Sequence, residues 1–135
     1  MTAEGRIGHQ YDPVVYPVTR AGIDAYVAAV GADASVYGDI APPMFAVVYA
    51  GAALGAGMFD SKLAIDFAHL VHGAQEFSWP GPVVRAGDEI STVLSVAEIR
   101  ETAGLKFYVF GSESTNRRGE RVADGRWSNI VRGAE

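Results

Sequence analysis

The sequence predicts an α+β domain in which a curled antiparallel β-sheet wraps around a long central helix, and three observations carry that expectation. Residues 40–59 (IAPPMFAVVYAGAALGAGMF) hold no charged side chain, while charged residues stand on both sides. After residue 70 the pattern changes to that of strands, with turn residues between the runs. The resulting order is strand, short helix, long apolar helix and then at least four strands in hairpin succession, which implies an antiparallel sheet.

Taken in order, residues 7–18 place Tyr11, Val15, Tyr16 and Val18 among Pro13 and Pro17, the pattern of an edge strand or extended arm. Thr19 can cap a helix whose apolar stripe is Ile23, Tyr26, Val27 and Val30, and Gly31 is placed to stop it. Residues 32–39 (ADASVYGD) read as a loop. Pro42 and Pro43 suit a first helical turn, where a missing N–H loses nothing, so the central helix runs from Met44 onward.

Every position from 44 to 58 is apolar or small, so this helix should be buried on nearly all sides. Burying Met44, Phe45, Val47, Val48 and Leu54 would contribute roughly 1.5–3 kcal/mol each, against up to about 1 kcal/mol lost per glycine. Ala46, Ala50, Gly51, Ala52, Ala53, Gly55, Ala56 and Gly57 add little burial. Something must therefore pack very close to them or need space beside them. A membrane span is the rival reading, but Asp39, Asp60 and Asp66 flank the run where Lys or Arg anchors would stand, and the prolines shorten it.

Beyond a turn at 60–66, residues 70–79 (LVHGAQEFSW) open the strands. Residues 80–88 (PGPVVRAGD) form a shaped loop, and 89–101 a second strand. A turn at 102–104 leads to 105–113, with Leu105, Phe107 and Val109 on one side. The turn Asn116-Arg117-Arg118-Gly119 leads to 121–131, where Ala123, Gly125, Trp127, Asn129 and Val131 share a face.

At 135 residues the chain fits a single domain, 1–135, with a core that needs no staple. Cysteine is absent, which excludes disulfides, thiolate nucleophiles and Cys-based zinc sites. No His/Asp/Glu set has metal-ligand spacing and no Gly-rich segment has a phosphate-cradle setting, so neither metal nor cofactor is expected. The first 13 residues lack a basic and then apolar leader, which makes the cytoplasm the expected location. A net charge of −5 argues against general nucleic-acid binding. Arg117, Arg118, Arg121, Arg126 and Arg132 nevertheless gather toward the C-terminal end, where they can meet a phosphorylated ligand or solubilise strand ends.

Several pieces resemble one family in the right order: Ile40-Ala41-Pro42-Pro43-Met44-Phe45 at the helix start, His72-Gly73-Ala74-Gln75-Glu76-Phe77 on the next strand, Gly81-Pro82, Ala86-Gly87-Asp88, and the turn NRRGERV at 116–122. Together they resemble the MaoC-like dehydratase/hydratase family, especially the FAS1-type dehydratase N-terminal domain, over about two thirds of the chain. The resemblance implies a hot-dog fold and an acyl thioester of coenzyme A or acyl carrier protein as ligand, with water added across an enoyl bond or removed. It also implies an Asp and a His in a D-x-N-P-x-H loop before the central helix, acting through a water as acid and base. Here the loop 32–37 puts Ala32 at the Asp position and Tyr37 at the His position, and a shift by one pairs Asp33 with Gly38. No register restores the pair, so no catalytic residue is assigned.

The substrate-binding candidates are Tyr37, Pro43, Met44, Phe45, Gly51, His72 and Gly73. The N–H groups of Met44 and Phe45, the first free donors after the prolines, would face a thioester carbonyl. Ala50, Gly51, Ala53 and Gly57 would leave volume for a long or bulky, even polycyclic, acyl group. His72 stands next to Gly73 on a strand close to the central helix, set against a purely structural role for a lone histidine on a sheet. The resulting expectation is a non-catalytic, pocket-forming subunit of a heteromeric enoyl-CoA hydratase or dehydratase in fatty-acid or steroid/lipid metabolism, paired with a homologous MaoC-like subunit that carries the dyad. The alternatives are a homodimeric or larger stand-alone hydratase or thioesterase, and a non-enzymatic acyl-CoA or lipid binding module.

Overall fold

The computed structural model describes residues 3–133. Strands β1 (Val14–Pro17), β2 (Leu70–Ser78), β3 (Glu89–Thr102), β4 (Leu105–Thr115) and β5 (Arg121–Arg132) pair antiparallel in the order β1-β3-β4-β5-β2. The short connections follow from turn chemistry. Ala103 and Gly104 both take positive φ, 52° and 79°, which matches the twist of a tight hairpin. In the next hairpin the Asn116 side chain accepts from the Arg118 and Glu120 N–H groups, each at 3.0 Å, and Gly119 turns at φ 79°.

Bulges bend the sheet into its curl. In β3 the register shifts between Val96 and Glu98, so the buried face passes from Ile90, Thr92, Leu94 and Val96 to Ile99, a change of parity that an unbroken strand forbids. A second shift between His72 and Ala74 leaves Gly73 as the extra residue of β2. In β4 the inward face is Tyr108, Phe110, Ser112 and Ser114, opposite Leu105, Phe107 and Val109. Phe107 lies under the Arg100 guanidinium, 3.9 Å from ring centre to carbon.

Helix α1 (Arg20–Ala29) starts as expected, with Thr19 Oγ1 accepting from Gly22 N–H at 3.0 Å, and buries Ile23 and Val27. Residues 32–39, expected as loop, contain one helical turn, α2 (Ala34–Tyr37), because Asp33 caps it through Ser35 N–H at 2.9 Å.

The central helix departs from expectation in two ways. It is not continuous: a 3₁₀ turn at Pro43–Phe45 leads into α3 (Ala46–Gly51), and α4 (Leu54–Met58) follows after a break. At that break Ala53 N–H bonds the Ala50 carbonyl at 3.0 Å, a tighter 3₁₀-type turn beside Gly51, a residue that holds helix poorly. Nor is it buried all round. Phe45, Ala46, Tyr49, Ala50, Ala53 and Gly57 face the sheet, whereas Met44, Ala52, Ala56 and Phe59 are exposed, because a single sheet covers one side of a helix. At Gly51 and Gly55 a Cβ would meet only ordinary contacts, at 3.7 Å from Trp127 and 3.8 Å from Phe59, but Gly57 answers to close packing. A Cβ on Gly57 would collide with the Phe110 ring and come within 3.0 Å of Leu94.

The end of α4 is tied to the N-terminal arm. Asp60 Oδ2 accepts from Arg6 at 2.8 and 3.1 Å and from the Tyr11 hydroxyl at 2.7 Å, while Oδ1 accepts from Lys62 N–H at 2.9 Å. These contacts hold the Asp60 carboxyl down at about 2, overcoming its partial burial, the largest single influence, which acts the other way. Burial and the Asp60 charge together push the Tyr11 phenol up to about 12. Among the described residues no helix is long and apolar enough to cross a membrane.

Candidate functional site

The site grows from the prolines. Pro42 and Pro43 cannot donate to the preceding chain, so 38–41 is held instead by the 80–88 loop: Ala41 N–H bonds the Val84 carbonyl and Ala86 N–H the Asp39 carbonyl, each at 2.8 Å. Gly81 lets that loop cross the start of β5, since a Cβ there would collide with the Arg121 carbonyl. Trp79, at the end of β2, then folds over the helix start, its Nε1–H donating to the Pro43 carbonyl at 3.0 Å.

Between these walls lies an apolar slot of about 260 Å³. The helix side supplies Tyr37, Ile40, Ala41, Pro42, Pro43 and Tyr49, and the loop side Trp79, Pro82, Val83 and Val84, with Val122 beneath. None of its lining residues is a carboxylate, an imidazole or a cation. Its polar groups are the two phenols and the indole. Burial pushes the Tyr49 hydroxyl well above the ordinary tyrosine range, so at neutral pH it stays protonated and can donate to a carbonyl. Asp33, an acid in the turn that precedes the helix, is committed as a cap. The Ser35 hydroxyl, at 2.7 Å, and its N–H hold the carboxyl below the usual range.

Of the residues singled out in the sequence, Tyr37 and Pro43 come together in the slot. Met44 is exposed beside Pro43. Phe45 turns into the core, where Tyr16, Tyr26 and Tyr49 surround it with ring centres at 6.4, 5.6 and 6.2 Å. Its N–H is spent on the Pro42 carbonyl at 2.9 Å, which leaves Met44 of the two donors expected there. Gly51 lies against Trp127, 3.7 Å from where a Cβ would be. His72 is exposed on β2 opposite Asn129, and Gly73 is the bulge residue against Ile130. Gly51, His72 and Gly73 are thus not among the slot's lining.

Sequence reasoning passed over Tyr49 and Trp79. Tyr49 carried a usable signal, being the one hydroxyl in the apolar run 44–59. Trp79 carried a weaker one, its place directly before the rigid Pro80-Gly81-Pro82.

Comparison with known proteins places residues 6–125 in a match to the model of the FAS1-like, dehydratase domain region. A UPF0336 protein of Saccharopolyspora erythraea is 35% identical over 140 residues, covering 94% of this chain and 89% of that protein. A solved MaoC-like dehydratase is 26% identical at TM-score 0.76, matched over 98% of this chain and 44% of its own. The C-terminally truncated HadBC (3R-hydroxyacyl-ACP dehydratase) complex of Mycobacterium tuberculosis superposes at TM-score 0.74 with 21% identity, covering 93% of this chain and 96% of that one, a likeness of fold.

Proposed function

The chain belongs to the family of the FAS1-like dehydratase domain region, and we propose that within it this protein is the dyad-lacking, pocket-forming subunit of a heteromeric enoyl-thioester hydratase or dehydratase acting on long or bulky acyl groups of fatty-acid or steroid/lipid metabolism. The observation that carries this reading is the apolar slot at the start of the central helix, which can take an acyl chain but has no acid or base in its wall. Hydration of an enoyl thioester needs a base to remove a proton from water while its oxygen bonds to Cβ, and an acid to return a proton to Cα. The positions where the family pattern would put them hold Ala32, which is exposed, and Tyr37. What the slot supplies is binding and a protonated phenol, that of Tyr49, for the thioester carbonyl.

Two features support a partner subunit. Among the described residues β2 pairs only with β5, so its outer edge is open along Leu70–Ser78. Close to it in sequence and on the helix, Met44, Phe59, Phe67 and Val71 are exposed, with Phe59 stacked on Phe67 at 5.2 Å, apolar surface of the kind a second subunit covers. The HadBC complex, which shares the fold, is a precedent for unlike chains working together.

The test is an assay of the purified chain against enoyl-CoA and acyl-CoA, alone and with a dyad-bearing MaoC-like protein. Turnover that appears only in the mixture is the expected result. Turnover by the chain alone would make it a stand-alone hydratase or thioesterase, and binding without turnover in any mixture would make it a binding module.

A further inference from the structure

Beside the slot lies a second groove of about 480 Å³, and the two share Pro82 and Val83 as a common wall. Its chemistry is different. Arg85 comes from the loop that builds the slot, and Arg117 and Arg118 from the β4–β5 turn, so three guanidinium groups line one groove in a chain of net charge −5. The groove's two acids are already engaged. Glu89 pairs with Arg117 at 2.6 Å, and Asp88 Oδ2 accepts from the Arg85 backbone N–H at 2.9 Å, closing its own loop.

The other two guanidinium groups are held loosely. Arg118 approaches Glu120 only to 3.8 Å and Arg85 approaches Asp39 only to 3.7 Å, well beyond the roughly 2.7–2.9 Å of a charge-assisted hydrogen bond. Both side chains are more than half exposed. The turn that presents Arg118 is itself rigid, because the Asn116 side chain ties both Arg118 N–H and Glu120 N–H. A guanidinium fork with free donors, on a fixed turn and next to an apolar slot, suits a phosphate at the end of an apolar ligand.

We infer that Arg85 and Arg118 bind the phosphate of the pantetheine-bearing carrier whose acyl chain occupies the slot, with Arg117 oriented by Glu89 beside them. This rests on the reading of the slot as an acyl-thioester site. The phosphate can be the one adjoining pantetheine, common to coenzyme A and to a carrier protein, or one of the nucleotide phosphates that only coenzyme A has.

The experiment measures binding by calorimetry for an acyl-CoA, the matching acyl-phosphopantetheine, the matching acyl-pantetheine without phosphate, and free CoA. The proteins are the wild type, the double variant Arg85→Gln/Arg118→Gln and the control Arg20→Gln, which removes a charge on α1. The double variant should bind acyl-CoA about tenfold more weakly, equivalent to about 1.4 kcal/mol, and acyl-pantetheine unchanged. An equal loss with acyl-phosphopantetheine assigns the phosphate adjoining pantetheine, and a loss with acyl-CoA alone assigns the nucleotide. Unchanged acyl-CoA binding, an equal loss with acyl-pantetheine, or an equal loss in Arg20→Gln overturns the inference. Free CoA separates the two readings. If acyl chains add nothing to its affinity, the slot reading fails, while CoA binding that falls in the double variant alone still upholds the groove; CoA binding that is absent or unchanged overturns it.

Discussion

At the start of the central helix the chain is closed over by one indole hydrogen bond, Trp79 to the Pro43 carbonyl, and the space beside it is left as an apolar slot. At the other end Asp60 collects the Arg6 guanidinium, the Tyr11 hydroxyl and the Lys62 N–H, and its side chain keeps only 10% of its exposure. The difference separates two jobs. A carboxylate whose oxygens are filled by neighbours is an anchor with nothing to offer a ligand, whereas a wall of prolines, valines and two phenols has few polar demands of its own and gains by being covered. The helix is thus fixed at its far end and bordered by an open apolar slot at its near end, the end at which the proposed function puts the ligand.

The largest expected effect breaks the anchor. Asp60→Ala strands the Arg6 and Tyr11 donors and should lower unfolding free energy by about 2–3 kcal/mol in urea titration, with acyl-chain affinity of the folded protein retained. If affinity collapses in parallel, the two ends are not separate jobs. Next comes the packing between them. Gly57→Ala drives a methyl into Phe110 and Leu94 and should cost about 1–3 kcal/mol, whereas Gly51→Ala meets Trp127 at ordinary contact distance and should be neutral or stabilising by up to about 1 kcal/mol. Equal losses at the two glycines would mean that α3 and α4 sit on the sheet equally tightly.

A pH series sharpens the contrast further. Asp60 ionises at about 2 in the folded chain and at about 3.9 when unfolded, so on acidification the unfolded chain takes up its proton first. Its contribution is complete above pH ~4 and lost between about 4 and 2; Asp60→Asn should flatten that limb. Tyr11 acts at the other extreme: its phenol is raised to about 12, so its contribution is full below pH ~10 and fades as the pH climbs toward 12. The smallest loss of stability belongs to Trp79→Phe, which removes one partly exposed hydrogen bond. It should cost about 0.5–1 kcal/mol by thermal melting while weakening acyl-chain binding several-fold, the reverse of the Asp60 pattern.

What was legible in the sequence was local. Thr19 caps its helix, Gly119 turns its hairpin, and the four strand runs from residue 70 onward lie within a residue or two of where their period puts them, because each depends on neighbours a few residues away, whereas the arm expected over residues 7–18 is strand only at Val14–Pro17. The bond from Ser35 to Asp33 within residues 32–39 is equally local. The site was only half legible. Tyr37 and Pro43 lie near each other in sequence and meet in the slot, but Trp79 reaches Pro43 across 36 positions and no periodicity carries that information. For the same reason the anchor went unread, since Arg6 and Asp60 are 54 positions apart.

Composition and pattern alone settled that an uncharged helical run would meet an antiparallel sheet, and that the loop before it lacks an Asp/His pair, since both are statements about which residues are present and at what spacing. Only the tertiary structure decided which side of that run is covered, where its helix breaks, and whether its small residues serve contact or space. Those outcomes depend on the distance between the helix and Phe110, Leu94 and Trp127, side chains brought there by strands far along the chain. Close packing is a property of two surfaces together, and a sequence presents them one at a time.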